Sequence, residues 1–322
     1  MISGQGQHVF SKLVNLQFVG LAFSLGVISI LSFFGNFYWL IDMLAHFRLY
    51  YVFIALLGMV ISLVIQRREL FFAWSFLFII NGILFLPFYS PWPSSDRQVR
   101  PVLTLYMANV KTENKRYDLL LNSVATAKPD FIILEEVDQR WLDSTQSLVA
   151  HYPYVLAEPR DDNFGIAILS KYPFSETKVH LFGAADRPTL QATLNIGGKD
   201  IVVIGTHPVP PFSKYSAQLR DEQLTELADY VQTIFKPVVV IGDFNVTPFS
   251  AVFKKFINTS KLSYCGYGHG YQPTWQKSPL LPPLRLALDH CFYSDIIEVL
   301  DFYTGEETGS DHLPIVVKMG WK

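Results

Sequence analysis

Charge is distributed unevenly along this chain, and that imbalance constrains its fold more than any motif does. Residues 1–90 carry only Lys12, Asp42, Arg48, Arg67, Arg68 and Glu69 as charged side chains. Three apolar stretches, residues 13–34, 49–65 and 70–89, fill that segment. Each is near the roughly 17–25 residues that a helix needs to cross a hydrocarbon core. The sequence therefore predicts a three-span transmembrane anchor over residues 1–90, with the lipid bilayer as its partner. The first stretch is about twice the usual apolar run of a signal peptide and no small-x-small site follows it, so it reads as a retained span.

Basic residues orient such an anchor. Arg67 and Arg68 lie in the tight turn 66–69 and Lys12 precedes the first span, which puts that turn and the amino terminus in the cytoplasm. Arg97 and Arg100, just beyond the third span, pull the other way. The expectation is a multi-pass protein of the inner or plasma membrane whose remaining chain is extracytoplasmic. Cys265 and Cys291 fit either a disulfide in an oxidising space or two free, buried thiols.

Residues 91–100 are polar, and Pro91 and Pro93 stop a helix there, so they read as a tether. Residues 101–322 suffice for one domain with an ordinary core. Short apolar or alternating runs predict strands at 102–108, 131–134, 166–169, 190–195, 201–205, 238–241, 288–293 and 313–318. Helical periodicity appears at 115–127, 140–149 and 213–234, the last with Leu219, Leu224, Leu227, Ala228 and Val231 on one stripe. Sheets covered by helices follow, an α/β or α+β layer arrangement. The segment GYGHGYQPTWQKSPLLPP, 266–283, reads as a loop over or beside the active face, its Tyr267, Tyr271 and Trp275 either walling a substrate site or packing the loop down.

Candidate chemistry sits at strand ends. In VVVIGDFNVTP an apolar strand delivers Asp243 and Asn245 onto a turn, and residues two apart on extended backbone share a face. A helix-capping Asp and Asn would look the same. The tail adds two Asp-His pairs, Asp289-His290 in LALDHCFYS and Asp311-His312 in GSDHLPI. His207 in THP and Glu136 in ILEEVD complete a set of acid, amide and imidazole suited to metal-assisted phosphoryl hydrolysis.

In chain order MANV, ILEEVD, FGIAILSKYP, THP, IGDFNVTP, LDHCFYS and GSDHLPI resemble the motif series of the endonuclease/exonuclease/phosphatase superfamily, the DNase I-like metal-dependent phosphoesterases. The resemblance covers nearly all of 101–318. It implies a four-layer sandwich of two facing mixed β-sheets flanked by helices, with a site at one edge, and Mg²⁺ or Mn²⁺ as cofactor. It also implies roles: Asn109, Glu136 and Asp311 at the metal; His207 donating to phosphate oxygens; Asp243 orienting or deprotonating water; Asn245 holding water and phosphate. His312 is implied as general base or phosphate contact, with Asp289 fixing its tautomer. Glu135, where the family commonly has Gln, reads as supporting or solvated, and His290 as facing the core. Trp275 is the candidate substrate-binding residue.

Two departures bear on substrate and metal number. Lys111 stands where nucleases often place a second acid after the first-strand Asn, and Phe164 where repair nucleases offer a Tyr hydroxyl. More loosely, the spans, THPVPP and PTW resemble a membrane-anchored bacterial subgroup, one branch of which is associated with teicoplanin resistance. The implied substrate is a phosphate ester, nucleic acid or a lipid or polyprenyl phosphate; no protein partner is evident. Removing the four basic and two acidic residues of the first 90 from totals of 26 and 28 leaves 22 against 26, a formal charge of −4, which does not advertise a nucleic-acid surface. The alternative is an envelope receptor or scaffold that keeps the fold without the chemistry.

Overall fold

The computed structural model describes residues 4–90, 102–276 and 285–322, with side chains from 16 onward. The predicted tether 91–100, the end of the 266–283 loop and the Lys12 side chain lie outside the described residues. Contacts divide the chain into two units, Met1–Leu86 with Phe249–Ala251, and Pro87–Pro248 with Val252–Lys322.

The first unit is helical: Gly4–Leu31, Trp39–Ala45, Arg48–Val64 and Arg68–Gly82. Leu16–Phe37 and Arg68–Tyr89 are long and apolar enough to cross a membrane, and Trp39–Ala45 with Arg48–Val64 makes a third if that pair, bent by 55°, counts as one span. Helices Arg48–Val64 and Arg68–Gly82 approach closely because Gly58 leaves room for Trp74: a Cβ there would fall 2.2 Å from the indole. Their outer faces remain apolar, with Val64 77% and Phe72 69% exposed, which water would penalise and lipid would not. The inward polar groups pair with one another, Arg48 Nη1 donating to Asn81 Oδ1 at 2.6 Å and Asn81 Nδ2 to Ser29 Oγ at 3.0 Å.

An expected outcome follows for sidedness. A reporter active only outside the cytoplasm, fused after Lys322, should be active, and one fused within residues 66–69 should be silent. The reverse pattern would place the second unit in the cytoplasm.

In the second unit, strand β1 (Leu103–Asn109) shows how alternation builds the layers. Leu103, Leu105 and Met107 enter one core, while Tyr106 and Ala108 enter another on the opposite face. The other strands are β2 (Phe131–Glu135), β3 (Tyr154–Glu158), β4 (Ile166–Ser170), β5 (Phe174–Leu181), β6 (Pro188–Ile196) and β7 (Lys199–Thr206), followed by β8 (Val238–Asp243), β9 (Ser263–Tyr264), β10 (Asp289–Tyr293), β11 (Ile297–Thr304) and β12 (Ile315–Trp321). They form two mixed six-stranded sheets, ordered β11-β12-β1-β2-β4-β3 and β5-β6-β7-β8-β10-β9.

The first core joins the facing sheets, with Leu105, Phe131 and Ile168 from one and Ala192, Val203 and Ile241 from the other. Outside the first sheet, Leu120, Val124 and Trp141 of helices Tyr117–Ala127 and Gln139–Ser144 pack onto Ile132 and Leu134. Outside the second, Phe256 of helix Ala251–Ser260 meets Phe292 with ring centroids 4.8 Å apart, and Gln223 of helix Lys214–Val231 reaches Thr206. That is the expected four-layer sandwich. Local caps set the helix starts: Ser213 and Ser216 form a reciprocal capping box, and Asp138 accepts from the Trp141 N–H. Cys265 and Cys291 are two free, buried thiols.

Candidate active site

Register brings the chemistry together before any side chain is placed. β1 and β2 run parallel with Asn109 beside Glu135, so Glu136 leaves the sheet next to Asn109. β8 and β10 run antiparallel with Asp243 opposite Asp289. Where the strands end the backbone turns sharply, and Glu136, Asn245 and Lys111 adopt left-handed conformations at φ 60°, 52° and 59°. Such φ values are unusual for residues other than Gly and Asn.

Asn109 ties the two sheets: its Nδ2 donates to Glu136 Oε1 at 2.9 Å and lies 3.4 Å from Asp243 Oδ2. Asp243 Oδ1 accepts from the Asn245 N–H at 2.9 Å, and Asn245 Nδ2 donates to the Pro208 carbonyl at 2.9 Å. His312 Nδ1 meets Asp289 Oδ2 at 2.9 Å, leaving Nε2 3.5 Å from Asp243 Oδ2. His207 Nε2 lies 3.7 Å from that same oxygen. Asp311 faces Lys111, with Nζ 3.5 Å from Oδ2. Asn109, Glu136, His207, Asp243, Asn245, Asp289, Asp311 and His312 thus gather at one edge of the two sheets. Trp275 bridges His312 through the backbone, its ring centroid 6.5 Å from the imidazole.

Burial sets the electrostatics. It drives the His207 pKa down to about 3, so that imidazole is neutral. Burial also opposes charge on His312, but the nearby Asp289 and Asp243 carboxylates outweigh it and raise that pKa to about 10. Asp243 is pushed up to about 7 by burial, against the pull of His312. Glu136 is raised by burial too, partly offset by the hydrogen bonds from Asn109 and Thr112. The site therefore holds one neutral and one cationic imidazole around a basic carboxylate.

A match to the Endonuclease/Exonuclease/phosphatase family spans residues 105–312. The chain belongs to that family. Phospholipase C of Staphylococcus aureus is 28% identical over 184 residues, covering 51% of this chain and 53% of the relative, so the chain spans about half the length of the curated relatives it matches. Among solved structures, D. rerio TDP2 complexed with a single-strand DNA product superposes with a TM-score of 0.57 at 17% identity, covering 68% of this chain and 98% of that one. A doubly substituted beta toxin of Staphylococcus aureus with bound magnesium ions gives 0.53 at 23% identity, covering 68% and 99%.

Two donor sets lie side by side in this family member. Asp243, Asp289 and His312 each bring a ligand atom within 4.8 Å of the others, a buried group able to hold a metal ion. Their existing contacts are those of an ion pair, with both His312 nitrogens facing carboxylates. Glu136, which accepts from Asn109 Nδ2, and the part-exposed Asp311 supply further carboxylate oxygens at the same edge. Asp289 Oδ1 and His207 Nδ1 are buried with no hydrogen-bond partner among the described residues, the condition of groups awaiting water, metal or phosphate.

The structure decides between alternatives that the sequence left open. Of the two readings for Glu135, the supporting one holds: it is fully buried between the sheets, its Oε2 accepting the Asp243 N–H at 3.0 Å, and burial, with the Asp243 charge second, holds its carboxyl well above the usual range. Of the two readings for the loop aromatics, Tyr267 and Tyr271 take the packing one, against Phe88, with ring centroids at 5.6 and 5.3 Å. His290 faces the core as expected, held by the Val246 carbonyl and the Tyr264 hydroxyl. Sequence reasoning missed Thr112, whose N–H and Oγ1 both bond Glu136; a Thr three residues past a strand-end Asn carries no signal on its own. It also missed the stack in which Phe164 lies 5.1 Å from His207 with the Arg187 guanidinium 3.9 Å above the Phe164 ring.

Proposed function

We propose that this chain is a membrane-anchored, Mg²⁺-dependent phosphoesterase that hydrolyses a lipid-borne phosphate ester outside the cytoplasm. The observation that carries the reading is the meeting of Asp243 with Asn109, His207 and His312 at one sheet edge. Nothing about packing requires those groups to face a common point, whereas a phosphate and an attacking water do.

Roles follow from donors and acceptors. Asp243, basic near neutrality and aligned by the Asn245 N–H, takes the proton of the attacking water. His312, a cation fixed by Asp289, donates from Nε2 to a phosphate oxygen. His207 donates as a neutral imidazole to another, and the Asn245 region keeps water and phosphate in register. Fixed donors aimed at developing charge in a water-poor site are the largest single source of rate in such reactions. Glu136, Asp311 and Asn109 would hold the divalent ion, which when bound neutralises phosphate charge. The new P–O bond comes from water, and the departing oxygen leaves as an alcohol after taking a proton.

Lipid is favoured over nucleic acid by the formal charge of −4 beyond the apolar segment, and by tethering, which raises effective concentration at a membrane without new contacts. The likeness to phospholipase C supports the same choice.

The test is a hydrolysis screen of the full chain in nanodiscs, with Mg²⁺, Mn²⁺ or EDTA, offering phospholipids, polyprenyl phosphates, DNA and RNA. The expected result is divalent-ion-dependent release from a lipid substrate, abolished by EDTA. Cleavage of DNA or RNA alone would overturn the substrate, and a folded chain inert toward all four would favour the receptor or scaffold reading.

A further inference from the structure

The turn after the first strand of the second unit delivers a basic side chain, Lys111, to the donor set, and its placement is specific. Its backbone is fixed in the left-handed region, at φ 59°, where its own N–H donates to Asn109 Oδ1 at 3.1 Å. The next residue, Thr112, is bonded twice to Glu136. Asn109, Lys111, Thr112 and Glu136 therefore form one hydrogen-bonded wall, and the Lys111 ammonium projects from it to within 3.5 Å of Asp311. With side-chain exposures of 40% and 29%, this pair borders solvent, so it contributes little to stability. A weak, half-open ion pair between two residues whose backbones are otherwise fixed calls for another explanation.

Geometry supplies one: the Lys111 ammonium, 3.5 Å from Asp311 Oδ2, already takes up the open side of that carboxylate, from which a second ion would be held.

Building on the phosphoesterase reading, we propose that the Lys111 ammonium, paired with Asp311, is the fixed second cation of this site, so that the chain works with a single divalent ion and a lysine contact to the substrate phosphate. The lysine orients Asp311 in the absence of substrate and turns to the phosphate when it arrives, a point charge on a flexible stem suited to that exchange.

The test uses the full chain in detergent micelles and Mg²⁺ titration by calorimetry, which does not depend on turnover. Wild type is expected to bind one Mg²⁺ per chain. Lys111→Asp is expected to bind two, because it converts a cation into a hard oxygen ligand. Lys111→Asn, which tolerates the left-handed backbone, should still bind one ion, more tightly because the competing ammonium is gone, and should turn over about 10²-fold more slowly, as removal of a positioned charge donor does. Thermal melts confirm folding of each variant. Two ions bound by wild type would overturn the proposal, as would a Lys111→Asn chain that matches wild type in both metal affinity and turnover. If wild type binds one ion and Lys111→Asp two while no phosphate ester is cleaved, the phosphoesterase reading fails and the lysine's place as second cation stands.

Discussion

Replacing Asp243 by Asn or His312 by Gln is expected to lower turnover by about 10²–10⁴-fold while leaving the fold intact, the usual cost of losing a positioned acid-base or donor group. Both changes nearly conserve volume. In Asp243→Asn the new amide keeps a carbonyl oxygen for the Asn245 N–H, which Asp243 Oδ1 accepts at 2.9 Å in the wild type, but it cannot take a proton from water. In His312→Gln the amide can still donate to Asp289 in place of Nδ1, but it brings no cation to the phosphate. Glu136→Gln should behave differently: it removes ligand charge rather than a proton acceptor, so higher Mg²⁺ should rescue part of the rate. A steady-state comparison of the three chains at two Mg²⁺ concentrations separates these roles, and equal rates in all would remove these residues from the chemistry.

The same His312 variant has a pH signature in stability. His312 is raised from 6.5 to about 10 in the folded chain, so the stability its charge contributes is fully present below pH 6.5 and is lost as pH rises through about 10. The melting-temperature advantage of wild type over His312→Gln should therefore be largest at about pH 6 and shrink toward about pH 10. An advantage that grew with pH would mean that His312 is neutral in the folded chain.

How much of this was legible beforehand depended on where each strand sits in its sheet. The eight strands that apolar runs predict are β1, β2, β4, β6, β7, β8, β10 and β12; those without a signal are β3, β5, β9 and β11, which are the four sheet edges. An interior strand such as β2 is buried along its whole length and must be apolar, whereas β5, FSETKVHL, is mostly exposed and carries edge-type charges. The site was legible for a related reason: its residues sit at the exits of interior strands, where short motifs are anchored by recognisable apolar runs. For Glu135, alternation from Glu136 gives the direction of the side chain but not what waits there, so a supporting and a solvated place were both left open. Only the facing sheet reveals that its target is the Asp243 backbone, 108 positions away.

Gly242→Ala is expected to cost more stability than any other single added methyl in the second sheet, and to take activity with it. Gly242 lies on β8 immediately before Asp243, and a Cβ built there would fall 2.0 Å from the Thr206 carbonyl oxygen and 2.6 Å from Glu135 Oε1. The Thr206 contact is backbone at the end of β7, directly before His207, and Glu135 is fully buried, so neither neighbour can step aside cheaply. The methyl must wedge β7 from β8, a cost of about 3 kcal/mol at the upper end of overpacking. That wedge separates His207 from Asp243, now 3.7 Å apart at Nε2 and Oδ2, and tilts the Asp243 N–H away from Glu135. Gly197→Ala makes the control: nothing lies within 4 Å of its added Cβ, but its φ of +61° strains a side chain, which costs about 1–2 kcal/mol without touching the site. Thermal melts and turnover of the two variants should therefore diverge, with Gly197→Ala slightly less stable and fully active, and Gly242→Ala much less stable and inactive even at temperatures where it is folded. A Gly242→Ala chain that melts and turns over like wild type would mean that β7 and β8 do not approach this closely, and the meeting of His207 with Asp243 would lose its structural basis.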